Sequence, residues 1–360
     1  MAKVTFNNKN NEFYNSLKAK VNTYFQEKKI DKTGDWRLYH KAWVLLIGAL
    51  ALYLVLLNVS MPAYLSLMLC AILGFVMASI GFNVMHDACH GSFSKNETLN
   101  TIMGYTLNIL GGNSYIWKQK HNIIHHTYTN VDGIDDDIAK SPVIRQCYTQ
   151  KWVPAHKVQH LYLPLIYAIT SIAWAFIMDF QKYFSGKIYT TERWKMDWKE
   201  HAIFWAGKVY FAIVYMAIPV YYVGFSSWLI GFLVMHITMG FTLAIVFQLA
   251  HVVEGAHFVE AYNHDLHVED SWAKHEVVTT ANFAPTNKII NWYVGGLNYQ
   301  IEHHLFPKVS HIHYPAISKF VKESCAEYNI PYNEFPTMWS AVKSHFKMMK
   351  EFGQNQFQPA

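Results

Sequence analysis

The sequence predicts an all-α integral membrane protein, with four transmembrane helices in two hairpins, interfacial helices beside them, and a histidine-rich cap on the cytoplasmic side. Three observations lead to that expectation. Of 360 residues, 52% are hydrophobic and only 15% charged, whereas soluble domains carry about a quarter charged residues. Aromatics reach 16%, with twelve tryptophans, a composition suited to anchoring at membrane–water interfaces. The apolar residues also gather into five stretches that can each cross a bilayer.

The elements follow in order. The first 41 residues are polar and lysine-rich, so no cleavable signal peptide is expected. Phe13, Leu17, Val21 and Tyr24 recur at helical intervals, which predicts an amphipathic helix on the membrane surface. The apolar stretches are Ala42 to Val59, Pro62 to Met85, Leu161 to Met178, Ala202 to Val223 and Trp228 to Ala250. A spanning helix needs about 20 residues, with roughly 17 to 25 workable. Only Ser60 and Met61 separate the first two, and only Gly224 to Ser227 the last two, so each pair reads as a helical hairpin. Lys28, Lys29, Lys32, Arg37 and Lys41 flank the first hairpin; Lys187, Arg193, Lys195 and Lys199 precede the second. By the positive-inside rule both hairpins open toward the cytoplasm.

The middle stretch contains Pro164, is followed by Asp179 and has no hairpin partner. It reads as interfacial or re-entrant. A genuine span there would put residues 86 to 126 and 251 to 304 on opposite faces. Ala316 to Phe352 predicts similar helices near the C-terminus. No Gly/Pro/Ser-rich linker divides the chain, so one membrane-embedded domain is expected over residues 1–360. It comprises an amphipathic segment (1–41), hairpins (42–85 and 202–250) and a cap (86–201 and 251–360).

Composition also excludes. Cys70, Cys89, Cys147 and Cys325 are scattered without a CxxC pair, which argues against a disulfide framework and a thiolate metal site. The net charge of +5 is what flanking lysines would leave, so nucleic acid is not an expected partner.

Twenty histidines would produce about one adjacent pair by chance, so a single HH is weak; their arrangement is more telling. HDACH sets His86 and His90 four residues apart where the second stretch ends. HNIIHH does the same with His121 and His125, and adds His126. QIEHH supplies His303 and His304, with Gln300 one turn away. On a helix, residues four apart share a face, so two imidazoles can meet one metal. Seven imidazoles exceed the three or four protein ligands of a zinc site. Two metals use the whole set, and imidazole suits Fe, Cu, Zn or Ni.

HDACH, HNIIHH and, within WYVGGLNYQIEHHLFP, the QIEHHLFP segment resemble the three histidine boxes of the integral-membrane fatty acyl desaturases. The glutamine of the third box resembles the front-end subgroup, which places a double bond between an existing one and the carboxyl end. The likeness covers roughly residues 40 to 320 in order and spacing. It implies a cytoplasmic non-haem di-iron centre, O2 as co-substrate, and a fatty acyl chain in a narrow tunnel. It carries the catalytic and metal roles onto His86, His90, His121, His125, His126, His303 and His304. It places Gln300 on or near iron, where related enzymes have a further histidine. The family also uses a histidine near the end of the last span: His251 is the candidate, with His257 as runner-up. His236, His156 and His160 read as ordinary membrane-level or surface residues. Many front-end enzymes carry a fused cytochrome b5 domain with an HPGG motif. This sequence has no HPGG, no dinucleotide fingerprint and no iron–sulfur cysteines. A separate electron donor of cytochrome b5 or ferredoxin type is expected.

A methylene C–H is beyond acid–base chemistry near pH 7, so its removal requires a bound metal. Asp87, Asn130, Asp132, Asp135, Asp137 and Glu302 are candidates to orient the imidazoles, a solvated acidic loop being the alternative for the aspartates. Tyr115, Trp117, Trp292 and Tyr293 could line a tunnel or anchor at the interface. Lys118 and Lys120 could meet a carrier phosphate or an acidic redox partner, or simply mark the inner face. The nearest rivals are a di-iron lipid hydroxylase or sphingolipid desaturase; a remote one is a metal transporter. Against transport, the boxes fall outside the apolar stretches, whereas transport sites lie near the midplane.

Overall fold

Hydropathy and helix length dominate the lower half of the molecule, and long-range pairing the upper half. The computed structural model describes residues 4–7, 11–139, 141–261 and 266–356. In chain order, α1 (Glu12–Lys28) leads into α2 (Trp36–Asn58) and α3 (Ala63–Cys89), and the short α4 (Ser114–Lys118) follows. Next come α5 (Pro154–Ser185), α6 (Trp198–Val223) and α7 (Phe225–His251). The rest of the cap includes α8 (Trp272–Val278), α9 (Lys288–Tyr293), α10 (Gln300–Leu305), α11 (Tyr314–Glu327) and α12 (Met338–Gln354).

Helices α2, α3, α5, α6 and α7 all have the length and composition of membrane spans. The apolar windows of α3 and α7 are 44% buried, against 11% for α6, so α3 and α7 form the centre. Their contact is close because a side chain on Gly74 would collide with the Met235 carbonyl. A Cβ on Gly240 would lie 2.7 Å from the Ala168 carbonyl, so α5 also crosses α7 backbone to backbone, as small residues allow between helices in lipid. At 27 residues each, α3 and α7 extend about 40 Å. A bilayer core is about 30 Å thick, so their box-bearing ends have length to spare.

Two buried polar contacts lie within the apolar helices. Lys208 Nζ of α6 lies 3.0 Å from Asp179 Oδ2 of α5 and donates to the carbonyls of Gly111 (2.7 Å) and Ala175 (3.1 Å). The Ser171 hydroxyl sits between the carbonyl (2.8 Å) and Nδ1 (2.9 Å) of His236. The aspartate that follows the middle stretch therefore has a buried partner.

The cap is stitched by short parallel strand pairs joining segments far apart in sequence: Val4–Phe6 with Leu266–Val268, Val131–Asp132 with Val259–Glu260, and Asn282–Phe283 with Glu334–Phe335. The apolar face of α1 differs from expectation. Phe13, Leu17, Val21 and Phe25 are buried with Ile301, Leu305, Ile317 and Val321, so protein rather than lipid covers it. The four-residue spacing continues to Phe25; Tyr24 is half-buried against Phe320. Lys20 closes the contact on Glu327 at 2.6 Å.

Candidate metal centre

The boxes converge because each sits at the end of a rigid element. The first follows a π-helical turn over Gly81–Met85, closed by the His86 N–H on the Gly81 carbonyl. The second is itself wound as a π-helix over Gln119–His125, with the His126 N–H donating to the His121 carbonyl at 3.0 Å. That i→i+5 bond differs from the α-helical turn the spacing suggests, and such turns recur at functional sites. Its wider turn swings His126 to the side of His121, leaving their Nε2 atoms 3.3 Å apart. The third box is α10, fixed by Asn282, whose Oδ1 accepts from the Ile301 N–H at 3.0 Å. His251 ends α7 and arrives as a fourth contributor.

The ring nitrogens, with one Asp137 oxygen, form four overlapping groups, two of which account for seven of the eight rings. His86, His90, His121 and His303 form one, and His125, His251 and His304 the other, with ligand atoms in each within 4.8 Å of one another. His126 is grouped with His303 and His304. All eight imidazoles are buried, none above 7% exposure. Gln300 Nε2 lies 3.0 Å from His251 Nε2 and 3.3 Å from His304 Nε2. Reversing its carboxamide would turn Oε1 toward the same two rings. His90 Nε2, His125 Nε2, His303 Nε2 and Gln300 Oε1 are buried without a hydrogen-bond partner. Unpartnered buried lone pairs are costly, and cations would satisfy them; the donor set fits two metal ions. Trp117 stacks on His121 at 4.3 Å and Phe247 meets it edge-on at 5.6 Å, walling the cage.

Outer nitrogens are held as well. His125 Nδ1 lies 3.0 Å from Asp135 and 3.4 Å from Asp137. His304 Nδ1 lies 2.6 Å from Glu276, and His303 Nδ1 3.0 Å from the Tyr314 hydroxyl. Asp87 is more remote, 3.9 Å from His86 Nδ1, and accepts instead from Ser310 Oγ (2.8 Å) and the His311 N–H (3.2 Å). Asn130 ties the backbone together, donating to the carbonyls of His251 (2.9 Å), His257 (3.1 Å) and Thr279 (3.1 Å).

Several expectations meet a different outcome. Asp132 engages Gln150 at 3.1 Å and Thr149, and Glu302 engages Asn282 (2.7 Å) and Tyr332 (2.8 Å); among the described residues neither touches an imidazole. His257 is exposed, and only its backbone joins the network. Lys120 pairs with Asp137 (2.6 Å) and Asp136 (3.4 Å), so it is not free to meet a phosphate. His156 is buried rather than superficial. Trp117 and Tyr293 face the interior, whereas Tyr115 donates to the Lys195 carbonyl and Trp292 is exposed beside Lys41. Glu276, Tyr314, Thr129 and Phe247 are absent from the sequence reading. Only Glu276 had a local signal, an acid among Ala273, Val277 and Val278 on a Ser271-capped helix.

Burial first, then mutual repulsion, holds His90, His121, His126, His303 and His304 well below the usual imidazole pKa. These rings therefore keep a lone pair available at neutral pH. Burial also pushes His125 down, but Asp135 and Asp137 outweigh it and its pKa is raised.

Apolar helices of spanning length beneath a buried imidazole cage define a membrane protein with a centre able to hold metal. Comparison with known proteins makes this specific. The fatty acid desaturase family model matches residues 62–336, and the chain belongs to that family; it is an oxidoreductase. It is 35% identical over 357 residues to the sn-1 linoleoyl-lipid 6-desaturase of Arthrospira platensis, covering 98% of this chain and 96% of that one. It is 36% identical to the acyl-lipid (8-3)-desaturase of Physcomitrium patens, covering 97% of this chain and 73% of that one. With the Delta(5) fatty acid desaturase A of Dictyostelium discoideum it shares 28% identity, over 95% of this chain and 75% of that one.

Proposed function

We propose that this chain is a front-end acyl-lipid desaturase that uses O2, two iron ions and an external electron donor of cytochrome b5 or ferredoxin type. The carrying observation is the convergence of eight buried imidazoles and Gln300, seven of the rings falling into two groups whose ligand atoms lie within 4.8 Å of one another. His86, His90, His121 and His303 would hold one iron; His125, His251, His304 and Gln300 the other, with His126 between them. Bound there, the irons supply the O2-dependent oxidation that no side chain performs on an unactivated C–H. The overall change balances as two C–H hydrogens, O2, two electrons and two protons giving one C=C and two waters. The protein's share is to orient the rings through Asp135, Glu276 and Tyr314 and to keep the site dry with Trp117 and Phe247. An apolar cavity of about 500 Å³, lined by Phe75, Phe241, Ile245, Ile290, Tyr293 and Met338, opens between α3, α7 and α9. It suits a hydrocarbon chain. Head group and front-end position follow the relatives' names.

The proposed topology has four spans, α2, α3, α6 and α7, in one membrane-embedded domain with a cytoplasmic cap. The contacts of α5 support this: Gln159 at its start donates to the Met349 carbonyl (2.7 Å), and Tyr183 near its end meets His201 at the start of α6 (2.7 Å). Just past the end of α5, Thr190 donates to the Gly133 carbonyl and the Trp194 N–H to Gln119 Oε1 (2.6 Å), beside the second box, which supports reading α5 as interfacial. A reporter fused after Gly186 should read cytoplasmic; an external signal there contradicts the topology. For the activity, a host expressing the chain and fed linoleate should accumulate an acid two mass units lighter with a new bond on the carboxyl side. A product sixteen units heavier would instead mean hydroxylation.

A further inference from the structure

The two groups of imidazoles differ in what stands behind them. In the His125–His251–His304 group, outer nitrogens meet carboxylates directly, Asp135 at 3.0 Å from His125 and Glu276 at 2.6 Å from His304. Thr129, four residues beyond His125, places Oγ1 2.8 Å from Glu276 Oε2, 2.7 Å from the His125 carbonyl and 3.1 Å from His304 Nδ1, its one hydroxyl proton serving a single acceptor at a time. Both residues are fully buried. In the His86–His90–His121–His303 group, His303 meets a neutral phenol, Tyr314, and the nearest outer carboxylate, Asp87, is 3.9 Å from His86 and 3.0 Å from His311 Nδ1. One group therefore has carboxyl groups in direct contact with two of its outer nitrogens, and the other a hydroxyl and a more distant carboxyl already shared with another imidazole.

We propose that Glu276, outside all three histidine boxes, is a positioning residue which with Thr129 fixes His304 and makes the His125–His251–His304 position the firmer of two metal sites. A carboxylate accepting the outer N–H of a ligating imidazole sets the ring's orientation and raises its donor strength; loss of such a partner commonly costs about 10- to 100-fold in metal affinity. This inference rests on the reading that the boxes bind two metals.

The test is chelator titration of the purified full-length protein loaded with iron-57, read by metal content and Mössbauer spectroscopy. The wild type should release iron in two phases and show two inequivalent doublets. Glu276→Gln keeps the shape and removes the carboxyl group that faces His304. It should shift the tighter phase by about 10- to 100-fold and alter one doublet. Thr129→Val, which leaves the carboxylate in place, should shift the same phase less and serves if Glu276→Gln does not fold. Tyr314→Phe should leave that phase alone. Two irons with unchanged release in folded Glu276→Gln or Thr129→Val, or a Tyr314→Phe shift as large as that of Glu276→Gln, overturns the inference. A wild type that takes up no iron overturns instead the underlying reading of the boxes.

Discussion

The spans and the cap obey opposite rules of burial. On α2, Trp43, Ile47 and Leu50 are each more than half exposed on the protein surface, while in the cap Asn130, Asp135, Glu276 and His303 are wholly buried. Apolar side chains facing outward are stable only where the solvent is hydrocarbon. Polar side chains facing inward are stable only where each finds a partner. The difference teaches where mutations should hurt. Side chains on the outer faces of the spans are interchangeable, whereas the cap depends on particular pairs.

The sharpest test is at the cage. His303→Ala and His125→Ala should each abolish desaturation in fatty acid profiles of an expressing host, and reduce bound iron in the purified protein. Asp135→Ala comes next. It frees His125 and also removes the acceptor for the Asn130 and Asp137 N–H groups (2.9 and 3.0 Å). A cost of about 3–5 kcal/mol is expected, seen as a lowered unfolding midpoint in detergent. Gly240→Leu drives a side chain into the Ala168 carbonyl, and about 1–3 kcal/mol is the usual scale of such overpacking; at this span position the contrast between spans and cap should break down. Ile47→Ala, on the outer face of α2, should stay within about 0.5 kcal/mol and retain full activity. A large loss there would show that the outer face packs against something other than lipid.

pH sharpens the same contrast, because the cap holds a set of imidazoles that burial shifts in one direction. Burial lowers His90, His121, His126, His303 and His304, and pushes His275 and His345 to about 4. Below about 6.5 the unfolded chain binds protons at these positions that the folded chain does not. Their contribution is therefore constant above that pH and is lost as pH falls. His125, Glu276 and Glu302 (raised to about 7) act in the opposite sense, but are outnumbered. The metal-free protein should unfold at lower temperature at pH 5 than at pH 7. A flat or inverted profile would mean that the carboxyl groups dominate.

Much of this was legible in order along the chain. Local hydropathy identified the five apolar helices, and spacing identified three compact histidine clusters along the chain, because both depend on neighbours within a turn or two. The burial of α1 was not legible: an amphipathic stripe reads alike whether lipid or α11 covers it. Nor was the π-helical winding of the second box, which changes which histidine faces which without changing a letter.

The sequence by itself determined that this is a helical membrane protein with clustered imidazoles, because transfer into hydrocarbon and helical periodicity are local properties of composition and spacing. Only the tertiary structure decided how those imidazoles divide into two groups, and that Glu276 rather than Glu302 stands behind His304. A hydrogen bond selects its partner by position in space. The residues it joins, such as Thr129 with Glu276, are 147 positions apart in the chain.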